Sequence, residues 1–106
     1  MELLDDNGYP TEEFLSMIKE WTDESETSLE DLLDMIEECW CHRSLAFKRR
    51  QPRKGIQTIE MHTAGWSGNE DIINAIQSNL WLTHFRLRYV KWIVGGHYWF
   101  KLKLDS

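Results

Sequence analysis

Cysteine is scarce in this chain: two in 106 residues, Cys39 and Cys41, one residue apart. A disulfide across that spacing is strained, so two free thiols in a reducing cytoplasm are expected. At the C-terminal end of a helix, where the dipole is negative, a thiol is also held back from reacting. Cys39-Trp40-Cys41-His42 groups metal-ligating side chains. The spacing is not that of a structural zinc site and no second ligand pair follows, so no metal is expected. No apolar run approaches the roughly 20 residues of a membrane span. The acidic start, Met1 to Asp6, lacks the basic region of a signal peptide, so no membrane partner is expected. Motifs of catalysis are missing too: there is no Walker loop, dinucleotide fingerprint, GxSxG, HExxH or separated carboxylate pair. Enzymatic activity and a cofactor are therefore not expected.

A chain of 106 residues suffices for one domain and one core, with little left for a lid or a deep cleft. The 42% hydrophobic share is that of an ordinary globular protein. Six tryptophans are many for this length, more than a small core readily holds. The net charge of −6 hides an asymmetry. Residues 1–38 carry 14 Asp/Glu against one Lys, and residues 39–106 carry 11 Lys/Arg against 4 Asp/Glu, balances of −13 and +7. The plain explanation is intramolecular, acidic helices solvating one side and complementing a basic sheet. A functional one has the basic half facing an anionic ligand while the acidic half keeps the protein off bulk nucleic acid. The acidic half could equally act as a decoy for a basic groove on another protein.

Periodicity predicts a single α+β domain over 1–106, in the order α-α-β-β-α-β-β, with an antiparallel sheet of about four strands and helices on one face. Residues 1–42 form an acidic helical part and residues 43–106 a basic hairpin–helix–hairpin part. Thr11 caps a first helix carrying Phe14, Met17, Ile18 and Trp21 at helical spacing. Ser28 opens a second, with Leu29, Leu32, Leu33, Ile36, Cys39 and Trp40 on one face. Alternation over 44–49 and 56–63 around a Pro52/Gly55 turn predicts a hairpin. Ser67 and Glu70 have capping-box spacing before a third helix with Ile72, Ile73 and Ile76 inside, and Asn79 is a plausible stop. Residues 80–93 fit a helix or a strand; their β-branched and aromatic content favours strand. Alternation over 97–104, with Tyr98, Phe100, Leu102 and Leu104 on one side, completes a second hairpin.

Three places carry candidate chemistry. The loop of residues 62–70 has two glycines and leads into a helix N-terminus, where free N–H groups favour anions. Glu70 competes for that field, so Trp66, Ser67, Asn69 and Glu70 are assigned to a base or ribose. One face of the second hairpin carries His84, Arg86, Arg88, His97, Trp99, Lys101 and Lys103. A cationic face with an exposed indole suits phosphate binding with stacking, so Arg86, Arg88, His97 and Trp99 are assigned that role. A basic knob, residues 48–54, surrounds the tip of the first hairpin. A catalytic set of His62, His97 and Glu70, acting on phosphodiesters, ranks third.

The stretches His62-Thr63-Ala64-Gly65-Trp66-Ser67-Gly68-Asn69-Glu70-Asp71-Ile72-Ile73 and Gly95-Gly96-His97-Tyr98-Trp99-Phe100 resemble a family of small phage- and prophage-encoded proteins. The resemblance covers about residues 56–103; the acidic N-terminal half matches weakly. It carries over no particular activity. It implies a counter-defence role in the host cytoplasm, either sequestering a nucleotide immune signal or plugging a host defence complex. The expectation is a non-enzymatic protein that sequesters an anionic small molecule. The alternative is direct inhibition of a host defence protein through Glu12, Glu13, Glu30, Asp34, Glu37 and Glu38. The surplus of large apolar residues between 80 and 104 further implies a symmetric homo-oligomer.

Overall fold

The computed structural model describes residues 1–41 and 43–103; His42 and Leu104, which figure in the motifs above, lie outside them. The first two helices form where their caps place them. Thr11 Oγ1 accepts from the Phe14 N–H at 3.1 Å and starts α1 (Glu12–Glu20), with Glu12 and Glu13 in the turn that favours negative charge. Ser28 Oγ accepts from the Asp31 N–H at 3.1 Å and starts α2 (Leu29–Cys39). Their apolar stripes, Phe14 and Ile18 on α1 and Leu29, Leu32, Leu33 and Ile36 on α2, are all buried. Trp21 follows α1 as its C-terminal cap, and its indole N–H donates to the Thr27 carbonyl at 2.7 Å.

The strand expected from residue 44 begins later. Arg43–Ala46 make one helical turn, α3, before the three-residue strand β1 (Phe47–Arg49). Leu45, which alternation paired with Phe47, is 77% exposed, whereas Ala46 and Phe47 are buried. An alternation of so few residues fits a helical turn as well as a strand. After the turn at Lys54 and Gly55 the chain returns as β2 (Ile56–His62).

Then follow α4 (Ser67–Ser78) and α5 (Leu80–Phe85). The ambiguous stretch divides: residues 80–85 are helical and residues 87–93 form β3 (Leu87–Ile93). Asn79 sets where the helical part begins. Its Oδ1 accepts from the Leu82 N–H at 2.9 Å, capping α5, while its Nδ2 donates to the carbonyls of Ile18 and Trp21 at the end of α1. One buried amide thus closes one helix and opens another.

β4 (His97–Lys103) completes a four-stranded antiparallel sheet in the order β1-β2-β4-β3. The two hairpins therefore lie side by side, with β2 against β4. β2 and β3 run parallel with β4 between them, and α4 and α5 form the crossover that such a pair requires. Helices cover one face. Ile59 and Met61 of β2, Phe100 and Leu102 of β4, Leu87 of β3 and Phe47 of β1 join the helical stripes in one core. No helix among the described residues is long and apolar enough to cross a membrane.

Candidate functional site

The uncovered face of the sheet is set by register. Opposite the core residues of β2 stand Thr58, Glu60 and His62, paired with Lys101, Trp99 and His97 of β4. β1 contributes Lys48, opposite Glu60. β3 contributes Arg88, opposite Lys101, and then breaks step. A bulge at Val90 makes Lys91, not Val90, the partner of Trp99. The inserted residue reverses the alternation, turning Lys91 and Ile93 to the open face and Trp92 to the helix side. Lys91 Nζ then lies 4.5 Å from the centre of the Trp99 ring, a cation–π contact.

Around Trp99 the side chains form a connected row. Arg50 is ion-paired with Glu60, and Glu60 Oε1 lies 3.6 Å from His62 Nε2. His62 Nδ1 meets His97 Nδ1 at 2.7 Å. Two facing ring nitrogens share a proton, so one donates and the other accepts. With Glu60 beside Nε2, the arrangement satisfying both contacts has His62 protonated on Nε2 and accepting from His97 at Nδ1. Burial opposes the charge on Glu60, but Arg50, and then His62, more than offset it and hold the carboxyl below its ordinary range. The His62 and Trp99 rings also meet edge to face, centroids 5.6 Å apart and planes at 86°. The strands and the Arg50 that follows β1 thus put Lys48 and Arg50 beside Glu60 and Lys91 beyond Trp99, with Lys101, Arg88 and Lys103 farther along the same face.

The other assigned residues divide. Arg88, His97 and Trp99 share the open face. Arg86 does not: it ends α5 and pairs with Asp23 of the α1–α2 loop at 2.7 Å. It lines a cavity of about 910 Å³ on the helix side, with Asp23, Glu26 and Arg49. The strand reading placed it with Arg88 because it took residues 84–88 as one alternating run; the helical turns of α5 rotate Arg86 away. Arg49 is likewise held on the helix side by Asp34 at 2.7 Å and Glu37 at 3.4 Å. Burial disfavours its charge, and the two carboxylates more than restore it, raising its pKa.

The loop before α4 is built for packing. Trp66 stacks on Tyr9, centroids 4.8 Å apart and planes at 22°. It holds the N-cap position with no side-chain cap, so the expected capping box is not formed and Ser67 falls inside the first turn. Its Oγ lies 3.5 Å from the Tyr9 hydroxyl. Gly68 lets the indole lie over that turn, since a Cβ there would sit 2.6 Å from Trp66 Nε1. Asn69 is fully buried, and its amide is committed. Oδ1 accepts from the Cys41 N–H at 3.0 Å, and Nδ2 donates to the Cys41 and Thr63 carbonyls at 3.2 Å each. Asn69 is therefore a structural residue and not a ligand contact: burying a polar group demands such partners. Glu70 is exposed and makes no ion pair with His62 or His97 among the described residues; Glu60 holds that place.

The loop and the open face nevertheless adjoin. The Thr63 N–H donates to the Gly96 carbonyl at 2.8 Å, tying the loop to the β3–β4 turn beside the histidine pair. Gly96 has φ +83°, and a Cβ there would lie 2.0 Å from Thr63 Oγ1, so only glycine fits this crossing. No protein-family model matches the chain, and no curated protein or solved structure matches it either. The reading of the site therefore rests on its geometry. Among the described residues no group of three or more His, Cys, Asp or Glu side chains is placed to hold a metal ion. Glu60 and Lys91 are missing from the sequence-based candidates, and Arg50 figures there only in the basic knob, not beside Trp99. A lone acid inside a basic hairpin was a visible signal for Glu60; the bulge that delivers Lys91 left none.

Proposed function

We propose that this chain is a non-enzymatic binding protein that takes a phosphorylated, planar ligand of nucleotide type on the uncovered face of its sheet. The observation that carries the reading is Trp99 beneath the Lys91 ammonium, in a field formed by Arg88, Lys101 and Lys103. A base that stacks on the indole takes the place of the Lys91 ammonium, which then meets its phosphate; such stacking contributes about 1–3 kcal/mol. Within the phage setting that the resemblance implies, the role is sequestration of a nucleotide signal in counter-defence. The cavity of about 910 Å³ on the helix side is not lined by Trp99, so the ligand of this reading lies on the open face. Calorimetry against cyclic and linear nucleotides tests this. Trp99→Ala should weaken binding by about 5- to 150-fold on that stacking estimate, with Lys101→Glu acting in the same direction. Folded protein that gives no heat with any of the panel refutes the reading.

The alternative, inhibition of a host protein through the acidic helices, draws on the exposure of Glu12, Glu13, Glu30 and Glu38 on α1 and α2. Asp34 and Glu37 are already engaged by Arg49. Charge reversal at Glu12, Glu13 and Glu30 should abolish capture of a basic partner on this reading, and should leave nucleotide binding at Trp99 intact on the first. The hydrolytic reading requires turnover: excess nucleotide recovered intact after release from the protein excludes it for the ligands tried.

A further inference from the structure

β3 is an edge strand, bonded to β4 on one side only. Ten large apolar residues are exposed among the described residues, and seven of them lie between Leu80 and Val94. Phe85, Tyr89, Val90, Trp92 and Ile93 are each between 41% and 54% exposed. The helices leave this end of the sheet partly bare: Leu87 at the start of β3 is buried, whereas Tyr89, beside α5, and Trp92 farther along, both on the helix side, stay about half exposed. Long apolar edge strands invite strand pairing, and soluble proteins ordinarily blunt them with charge, proline or a bulge, of which β3 has the bulge. Here the strand's charges, Arg88 and Lys91, face the open side of the sheet by register, and the bulged residue is a valine.

We infer that β3 is the seam of a two-fold dimer, in which the β3 of a second copy of this chain adds antiparallel to it. Three arguments favour a second copy as the occupant. Antiparallel pairing about a two-fold axis normal to the sheet lets one strand serve as its own partner, as a closed dimer requires. The same operation sets the aromatic group Phe85, Tyr89 and Trp92 on the helix side against the same group of the second copy in reversed order, aromatic against aromatic. The exposed fractions of the seven side chains, at no more than ~200 Å² each, total at most roughly 800 Å² if all seven are covered, which reaches the per-partner area of a standard stable interface. The product is an eight-stranded sheet with both uncovered faces on the same side. Arg88 and Lys91 of each copy then flank the seam, and two single-copy cationic faces become one continuous platform. The seam does not depend on the identity of the ligand.

Sedimentation equilibrium without any ligand tests it, over a concentration series from low to high micromolar. The wild-type chain should reach twice its 12.7 kDa mass and stop there. Val90→Lys and Trp92→Glu, both at exposed positions, should each return the mass to that of one chain with an unchanged circular-dichroism spectrum. Two variants guard against one failing to fold. A wild-type mass of one chain throughout the series overturns the inference and leaves the patch to another occupant. Growth beyond two chains overturns the closed two-fold, and a dimer that persists in both folded variants places the interface elsewhere and overturns the seam.

Discussion

Replacing Asn69 with alanine separates a structural amide from a ligand contact. The side chain is fully buried and makes three hydrogen bonds, one from the Cys41 N–H and two to the Cys41 and Thr63 carbonyls. Each such bond contributes about 1 kcal/mol net, and a buried group stripped of its partner costs roughly 1–3 kcal/mol. The Thr63 carbonyl keeps a second donor, the Trp66 N–H at 2.9 Å, and Cys41 is only half-buried, so solvent recovers part of the loss. The net destabilisation of Asn69→Ala is then about 3 kcal/mol, a large share of the roughly 5–15 kcal/mol that holds a domain of this size. With a urea slope near 1–3 kcal/mol per molar, the midpoint should fall by about 1–3 M. Parallel titrations followed by tryptophan fluorescence and circular dichroism measure it and check two-state behaviour. Asn69→Asp sharpens the test: it keeps the acceptor for Cys41, loses both donors and adds a buried charge, so it should destabilise at least as much. A loss below about 0.5 kcal/mol, the range of ordinary surface substitutions, would refute the argument. Loss of nucleotide binding at unchanged stability would return Asn69 to the ligand site.

The two thiols should react unequally. Burial and the neighbouring Glu38 charge push Cys39 up to about 11, so a disulfide reagent at mildly alkaline pH should titrate the half-buried Cys41 quickly and Cys39 only on unfolding; equal rates for both would contradict the packing of α2. Glu60 has a lowered folded-state pKa, so its contribution to stability is present above the unfolded carboxylate pKa and is lost as pH falls through the folded value. Glu60→Gln should therefore be less stable than wild type at neutral pH, with the difference shrinking in acid; urea midpoints at several pH values read it, and a gap that widens on acidification refutes the pairing with Arg50.

The parts of the fold that were legible in the sequence are those whose signals are local. Thr11 and Ser28 cap the helices they were expected to cap, and the stripes of α1 and α2 are buried as their spacing requires. The hairpins and the open face of β4 follow from alternation. What could not be read depended on partners distant in sequence. Asn79 is legible as the stop of α4, but its role in starting α5 is tied to the end of α1, whose carbonyls take its amide from more than fifty residues away. Asn69 sits inside because the backbone at Cys41 and Thr63 needs an acceptor and a donor there. The bulge at Val90 has no glycine or proline to announce it, yet it decides which side chains of β3 meet Trp99. A parity change of one residue carried Lys91 into the site and Trp92 out of it.

The charge asymmetry of the sequence becomes an asymmetry between layers, and this sets how binding should respond to salt. The acidic residues lie mainly on the helical layer and its loops, and only Arg49 and Arg86 of the sheet layer are ion-paired to them among the described residues. The remaining strand cations lie on the opposite face, in a molecule 21 Å across its short axis. At physiological ionic strength the Debye length is about 8 Å, so a ligand on the open face feels the cations beside it and little of the acidic layer. At 0.01 M salt the screening length is about 30 Å, longer than the molecule is thick, and the net −6 then opposes the approach of an anion. Affinity for a nucleotide-type ligand should therefore rise only weakly as salt is lowered and level off at low salt. A basic partner on the acidic helices faces the opposite balance, because local and net charge both attract it, and its affinity should climb steeply down to the lowest salt. Titrations over a salt series thus distinguish the two readings without any substitution. A nucleotide affinity that keeps climbing steeply at low salt would mean that the acidic layer does not face away from the binding surface.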